Sequence, residues 1–261
     1  MNKPIFESIV LGCLAVSSAA VAEETGPSLG LGAYKMVEGA PTQVPDVTKN
    51  ASGLTFNPNT GTLLCIRDHP AAIVEFTPVG EAKRTIEMEG FYDVEGIVHM
   101  EDDTVAVIQE GRGDISVFNI TPETREIRKA DTTTIVVDRV GSNLGLEGLT
   151  YDPATKVFFI VKEKEPRKVY KVTLDGEVSH PWDAEKNTME LSDLSGIHFD
   201  PATGHLYVLS HESQAVVECS TDGKVVSRLH VEMGKAEGIT VTADGALYIC
   251  GEPDSLLIFS K

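Results

Sequence analysis

GLEGLTYDPATKVFFIVKE, from Gly145 to Glu163, has the form of a unit that the chain uses more than once. ASGLTFNPNTGTLLCIRD (Ala51 to Asp68) and LSGIHFDPATGHLYVLSH (Leu194 to His211) repeat it closely. VEGIVHMEDDTVAVIQE (Val94 to Glu110) and AEGITVTADGALYICGE (Ala236 to Glu252) repeat it more loosely. Each unit is a glycine, an apolar strand, a turn, a second strand and, in four of the five, a closing acid. The glycines Gly53, Gly96, Gly148, Gly196 and Gly238 are spaced 43, 52, 48 and 42 residues apart. Periods of about 40–50 residues built from short strands indicate a β-propeller rather than a helical solenoid. Asx-Pro opens the turns of NPNTGT, DPATKV and DPATGH, as tight-turn chemistry requires.

Two more strands follow most units: AIVEFT and TIEMEG, ISVFNI and TTIVVD, KVYKVTL and the SHPW region, AVVECST and VVSRLHV. Four strands make one blade. The fifth unit supplies only SLLIFS after its second strand, so its outermost strand must come from elsewhere. Ala33 to Glu38 precedes the first unit and can pair with Leu256 to Ser260, which would close the ring and remove an open sheet edge. The expectation is an all-β, five-bladed β-propeller over residues 33–261, with six blades as the alternative.

The 261 residues, 41% of them apolar, suffice for one large domain with a real core. With 40 acidic against 22 basic residues the formal charge is −18, which makes duplex nucleic acid and anionic lipid poor partners and cations good ones. The N-terminus combines a basic start, Met1 to Lys3, with an apolar stretch from Ile9 to Val21 ending in Ala20-Val21-Ala22. That pattern reads as a signal peptide over residues 1–22 with a mature start at Glu23 and a short linker over 23–32, hence a periplasmic location. Retention as an inner-membrane tether is the alternative, as VLGC (Val10 to Cys13) weakly resembles a lipobox. The apolar stretch falls short of the ~20 residues that span comfortably. Beyond Cys13 there remain Cys65, Cys219 and Cys250, an odd number without CxxC spacing, so no disulfide framework or zinc site is indicated. Cys65 and Cys250 share a column of the repeat and read as small buried residues, with their pairing left open.

Propeller geometry turns columns of the repeat into a site. The first strand of a blade lines the axis and the second returns beside it, so the residue before each glycine and the residue ending each second strand meet at one mouth. The first column is Ser52, Glu95, Glu147, Ser195, Glu237, and the second is Asp68, Glu110, Glu163, His211, Glu252. Asp93 and Asp193 lie two residues before the first column. So many carboxylates round one opening would titrate upward unless a cation neutralised them, and an oxygen-rich set suits Ca²⁺ with its 6–8 oxygen ligands. Calcium is therefore the expected ion, on Glu95, Glu147, Glu237, Glu110, Glu163, Glu252, Asp68, Asp93 and Asp193. Arg67, Arg112, Lys162, Lys164, Arg167 and His211 flank the same mouth and are the candidates for contact with a substrate or a phosphate. LGLGA near Gly30 lacks the strand and helix of a phosphate loop, and no nucleophile elbow is present.

The repeated EGI/EGL with DPATG turns, most specific at Asp93-Val94-Glu95-Gly96 and Leu146-Glu147-Gly148-Leu149, resembles the SdiA-regulated family, also called the YjiK or calcium-regulated propeller (CarP) family. The resemblance extends from about Tyr34 to Phe259. It implies an exported propeller, periplasmic or at the inner membrane, with a calcium-linked role, and it supplies no catalytic residues. Ser52 and Ser195 depart from the acidic pattern, so the site should lean toward the second, third and fifth blades. Three classes of function are open: a calcium-binding protein, a calcium-dependent phosphohydrolase similar to phytase propellers, and a scaffold that docks another envelope protein. The implied partners are a divalent cation and, in the alternatives, a phosphorylated small molecule or an envelope protein, with the chain a monomer.

Overall fold

The computed structural model describes residues 27–137, 145–183, 186–187 and 189–261. The expected signal peptide, with Cys13 and the Glu23 start, lies outside them.

The described strands form five sheets around one axis. The first blade is β2 (Ala51–Asn57), β3 (Thr62–Arg67), β4 (Ala72–Phe76) and β5 (Ala82–Glu89). The second is β6 (Val94–His99), β7 (Thr104–Gln109), β8 (Asp114–Asn119) and β10 (Thr133–Val136). The third is β11 (Leu146–Asp152), β12 (Val157–Lys162), β13 (Lys168–Thr173) and the two-residue β14 (Val178–Ser179). The fourth is β15 (Gly196–Asp200), β16 (His205–Ser210), β17 (Ala215–Ser220) and β18 (Val225–His230). The fifth is β19 (Ala236–Val241), β20 (Leu247–Gly251) and β21 (Ser255–Ser260), completed by β1 (Lys35–Met36) from the far end of the chain. Five sheets rule out the six-bladed alternative.

The closing strap pairs Lys35 with Ser260 and Met36 with Phe259. It continues past the expected Glu38, because Leu256 donates to the Thr42 carbonyl at 2.9 Å and Val44 to that of Asp254 at 2.7 Å. Within the stretch read as a linker, Leu31 is fully buried and packs in the core between the fourth and fifth blades. Each joint between neighbouring blades holds such a core, and in the one that closes the ring Cys65 Sγ stands 3.8 Å from Cys250 Sγ, both as buried thiols.

The first-to-second-strand turns follow from their residues. Asn57, Asp152 and Asp200 each accept a hydrogen bond from the backbone two residues on, at 2.9, 2.9 and 3.0 Å. The turns end in the left-handed region at Gly61, Lys156 and Gly204 (φ 67°, 57° and 70°). A feature the repeat did not suggest is β9 (Glu126–Arg128). It leaves the second blade's sequence and adds in parallel to the outer edge of the first, with Glu87 opposite Glu126.

The repeat glycines sit where the five innermost strands touch. A Cβ on Gly53 would lie 2.7 Å from the Glu95 carbonyl oxygen, and one on Gly96 2.7 Å from that of Glu147. One on Gly148 would meet the Ile197 nitrogen at 2.7 Å, one on Gly196 the Glu237 carbonyl at 2.6 Å, and one on Gly238 the Ser52 carbonyl at 2.5 Å. Each blade thus meets the next backbone to backbone, and the fifth meets the first. Replacing Gly238 by Ala should destabilise the protein by about 3 kcal/mol in urea unfolding, since the obstructing atoms are backbone and must shift. Gly234→Ala, with nothing within 4 Å of the new methyl, should be nearly silent.

Candidate functional site

Strand irregularity places the first column. The ladder register slips between Ala51 and Leu54, Val94 and Gly96, Leu146 and Leu149, and Ala236 and Gly238. Ser52, Glu95, Glu147 and Glu237 fall within these slips. A bulge residue is left out of the ladder and its side chain is re-aimed, and here the neighbouring blade's backbone at the glycine leaves the axial mouth as the direction available. The fourth blade has no slip: Gly196 pairs regularly with Leu209, and Ser195 donates its N–H to the Leu209 carbonyl at 3.0 Å. The Ser195 hydroxyl is buried and has no hydrogen-bond partner among the described residues.

The three glutamates are close enough to perturb one another. Burial, then the negative charge of Asp68, raises the Glu95 carboxyl to about 8, partly opposed by the Ser52 hydroxyl beside it. Glu147 is driven well above the usual carboxylate range by burial first and then by Glu95, Glu110 and Glu237. Glu237 is raised to about 7, mainly by burial, with His211 and Lys235 opposing and Glu252 and Glu163 adding to the rise. Asp68 and Glu110 also shift upward, burial being the largest cause for each.

Two tighter groups stand on this mouth. Asp68, Asp93 and Glu95, at the joint of the first and second blades, each offer an oxygen within 4.8 Å of the others. Glu163 and Asp193, each with an oxygen, and His211, with a ring nitrogen, are grouped as closely at the joint of the third and fourth. Both repeat one local design, an acid ending a second strand beside the aspartate that leads into the next blade. Asp68 Oδ1 accepts the Val94 N–H at 3.0 Å and Asp93 Oδ2 that of Gly111 at 3.1 Å. Fully buried Asp193 accepts the Glu212 N–H at 3.1 Å and the Ser210 hydroxyl, and its Oδ2 forms an ion-pair contact with His211 Nδ1 at 2.6 Å. Burial would raise Asp193, but those bonds outweigh it and hold the carboxyl low, while the same contact raises His211.

The other expected residues are more committed. Glu110 Oε1 accepts the Gly145 N–H at 2.8 Å, and Glu252 Oε2 lies 3.0 Å from Lys235 Nζ. Among the flanking cations, Arg67 faces the Pro70 carbonyl (2.9 Å) and Glu87 (3.5 Å). Arg112 lies over the Tyr92 ring at 5.9 Å. Lys162 donates to the Lys164 carbonyl, and Lys164 bridges Glu163 (3.2 Å) and Glu212 (2.5 Å). Arg167 lies beside Lys164, Glu190 and Ser192 on the surface. Lys235 and Glu212, absent from the column reading, both touch the site, and their only trace in sequence is their place beside Ala236 and His211.

Below the acids the axis is plugged. Leu54, Ile97, Leu149, Ile197 and Ile239, each directly after its repeat glycine, surround a void of only about 10 Å³. Among the described residues, no helix is long and apolar enough to cross a membrane.

Comparison with known proteins agrees with this picture. The SdiA-regulated family matches residues 28–260, and the chain belongs to it. Solved structures share the fold at low identity. A gluconolactonase from Xanthomonas campestris has a TM-score of 0.56 at 12% identity, over 88% of this chain and 91% of its own. A regucalcin from Agrobacterium tumefaciens, described as a calcium-binding protein, has 0.55 at 13%, over 84% and 92%. A chain of a nidogen/laminin complex has 0.54 at 16%, over 78% and 73%.

The raised carboxyls fix a pH dependence. An acid with a higher pKa folded than unfolded binds more protons in the folded state, so stability falls as pH rises through that interval. For Glu95 the interval runs from 4.5 to about 8, and for Glu237 from 4.5 to about 7. The raised His211 acts in the same direction. In chelator-treated buffer the thermal midpoint should be highest near pH 5 and roughly 5 °C lower at pH 8. Glu95→Gln should flatten that slope, as followed by circular dichroism.

Proposed function

We propose that this SdiA-regulated propeller is an exported, periplasmic protein that binds a divalent cation, Ca²⁺, at its acidic mouth and serves in the cell's response to calcium. The observation that carries the reading is the convergence of Glu95, Glu147 and Glu237, each lifted above its ordinary range mainly by burial, with carboxylate neighbours adding to the rise in all three. Such an arrangement costs free energy without a counter-ion and binds one strongly for the same reason.

The oxygen-only group, Asp68, Asp93 and Glu95, is the calcium ligand set on this reading, with Glu147 and Glu237 completing the charge. Calcium accepts many oxygens in tolerant geometry, which suits side chains contributed by separate blades. The group with His211 mixes nitrogen and oxygen and is better matched to a borderline ion such as Zn²⁺ or Mn²⁺. The regucalcin neighbour is described as calcium-binding, but at 13% identity it supports the fold alone, and the choice of ion rests on the donors. Export rests on the basic start and apolar stretch of residues 1–22.

Calcium in excess should raise the thermal midpoint of the protein at pH 7.5. A ligand at a hundred times its dissociation constant adds ~2.7 kcal/mol of stability. Glu147→Gln should shrink that shift and slightly stabilise the calcium-free protein, since one repelling carboxylate is gone. Glu177→Gln, on an exposed turn, should change neither. Absence of any calcium-dependent shift in the wild type would overturn the reading and leave the rim as a docking face.

A further inference from the structure

At the end of the axis opposite the acids, beyond the plug, the innermost strands flare around a cavity of about 590 Å³. This is within the ~300–1,000 Å³ typical of small-molecule sites. All five blades contribute to its wall, and Leu29 of the N-terminal segment closes one side, held there by its N–H bond to Glu218 at 3.1 Å.

The wall has a definite chemistry. Phe56, Tyr151 and Phe199 supply aromatic surface, and Val98, Met100 and Val241 aliphatic surface. Among the described residues, neither the His198 imidazole nor the Tyr151 hydroxyl makes a hydrogen bond, although both side chains are at least half-buried. Burial also lowers the His198 imidazole to about 4, which keeps the ring neutral, with one donor and one acceptor nitrogen. Among the described residues no lysine or arginine lines the cavity, whereas Asp200 and Asp244 do. An anion entering would meet two carboxylates and no counter-charge.

We propose that this cavity is a second binding site, for a small uncharged aromatic molecule bearing a hydroxyl or similar hydrogen-bonding group that His198 and Tyr151 engage. The aromatic faces would take its ring by offset or edge contact, and the unpartnered polar groups would orient its substituent. The closed plug separates this site from the acidic mouth, so it stands or falls independently of the cation reading.

The test uses 2-naphthol, a neutral two-ring hydroxyl compound, titrated into the full chain at pH 7 by calorimetry, with naphthalene-2-sulfonate as the anionic counterpart. The expected result is saturable one-to-one binding of 2-naphthol, with the sulfonate at least tenfold weaker. Met100→Trp, which fills the cavity from a half-buried position, should abolish binding while the far-ultraviolet spectrum stays that of the wild type. His198→Leu should weaken binding about tenfold, the worth of one hydrogen bond in a dry site. Should Met100→Trp fail to fold, the His198→Leu and Tyr151→Phe affinities carry the test. No saturable binding by the wild type, equal affinity for the sulfonate, or wild-type affinity in the folded variants would each overturn the proposal.

Discussion

The rest of the molecule depends on the contact of five glycines with their neighbours' backbones at the axis. Each innermost strand can approach the next only because no Cβ intervenes, with the hypothetical methyls lying 2.5–2.7 Å from backbone atoms of the following blade. That approach also sets the site. In four blades the ladder slips at the residue before the glycine, while the fourth, with the same close approach, keeps its register. The slip frees Glu95, Glu147 and Glu237 from the ladder and directs them to the mouth. Closure of the ring and assembly of the acids thus meet at the same positions, and a larger side chain in the glycine column would disturb both.

The acids make the mouth the most costly region of the fold in the absence of a counter-ion. Part of that cost is relieved internally. Lys164 spans Glu163 and Glu212, Lys235 holds Glu252, and His211 pairs with Asp193. These pairs lie on the third, fourth and fifth blades. The first and second blades provide no basic partner at 4.0 Å or less to Asp68, Asp93 or Glu95 among the described residues, and the residual negative charge concentrates there. The serines that break the acidic column reinforce the asymmetry: Ser52 hydrogen-bonds Glu95 and moderates its pKa, whereas the hydroxyl of Ser195 is buried without a partner among the described residues.

The architecture was legible in sequence because a propeller repeats its constraints. Glycine, Asx-turn and closing acid recur at fixed offsets, so five blades and the strap from the N-terminus followed from spacing. The column that gathers at the mouth was legible for the same reason. What could not be read belongs to contacts between units rather than within them. The parallel addition of β9 to the first blade depends on Ile127 packing in the core between the first and second blades, a long-range fit without local signature. The Thr55, Thr150 and Thr240 hydroxyls each accept an N–H from the adjoining blade, at 3.1, 2.8 and 3.1 Å, yet in sequence they are ordinary strand threonines. Arg67 and Lys164 read as top-face cations, but their partners, Glu87 on β5 of the same blade and Glu212 after the second strand of the next, stand in no column of the repeat.

The plug of five aliphatic side chains limits how such a ring can work. The void at its centre is only about 10 Å³, about the room of a single water, so the axis is a packed core rather than an open channel. Single strands nevertheless connect acid to cavity: Glu147 and Tyr151 both lie on the seven-residue β11, and Glu237 and Val241 on β19. A cation drawing three bulges inward would act on strands that are in backbone contact all round the ring. Whatever such a pull does to spacing must be shared by all five, because the glycine contacts leave no slack between blades. The strap pairs with β21 inside the fifth blade, through a two-residue strand and scattered bonds beyond it, and the fifth blade then meets the first at the closing joint. Cys65 and Cys250 face each other across that joint, one on each side of it and directly behind the column that holds Glu237. The seam that the chain closes with its two ends therefore lies within the fifth blade, and the joint beside it is held by the close approach of Gly238 to the Ser52 carbonyl.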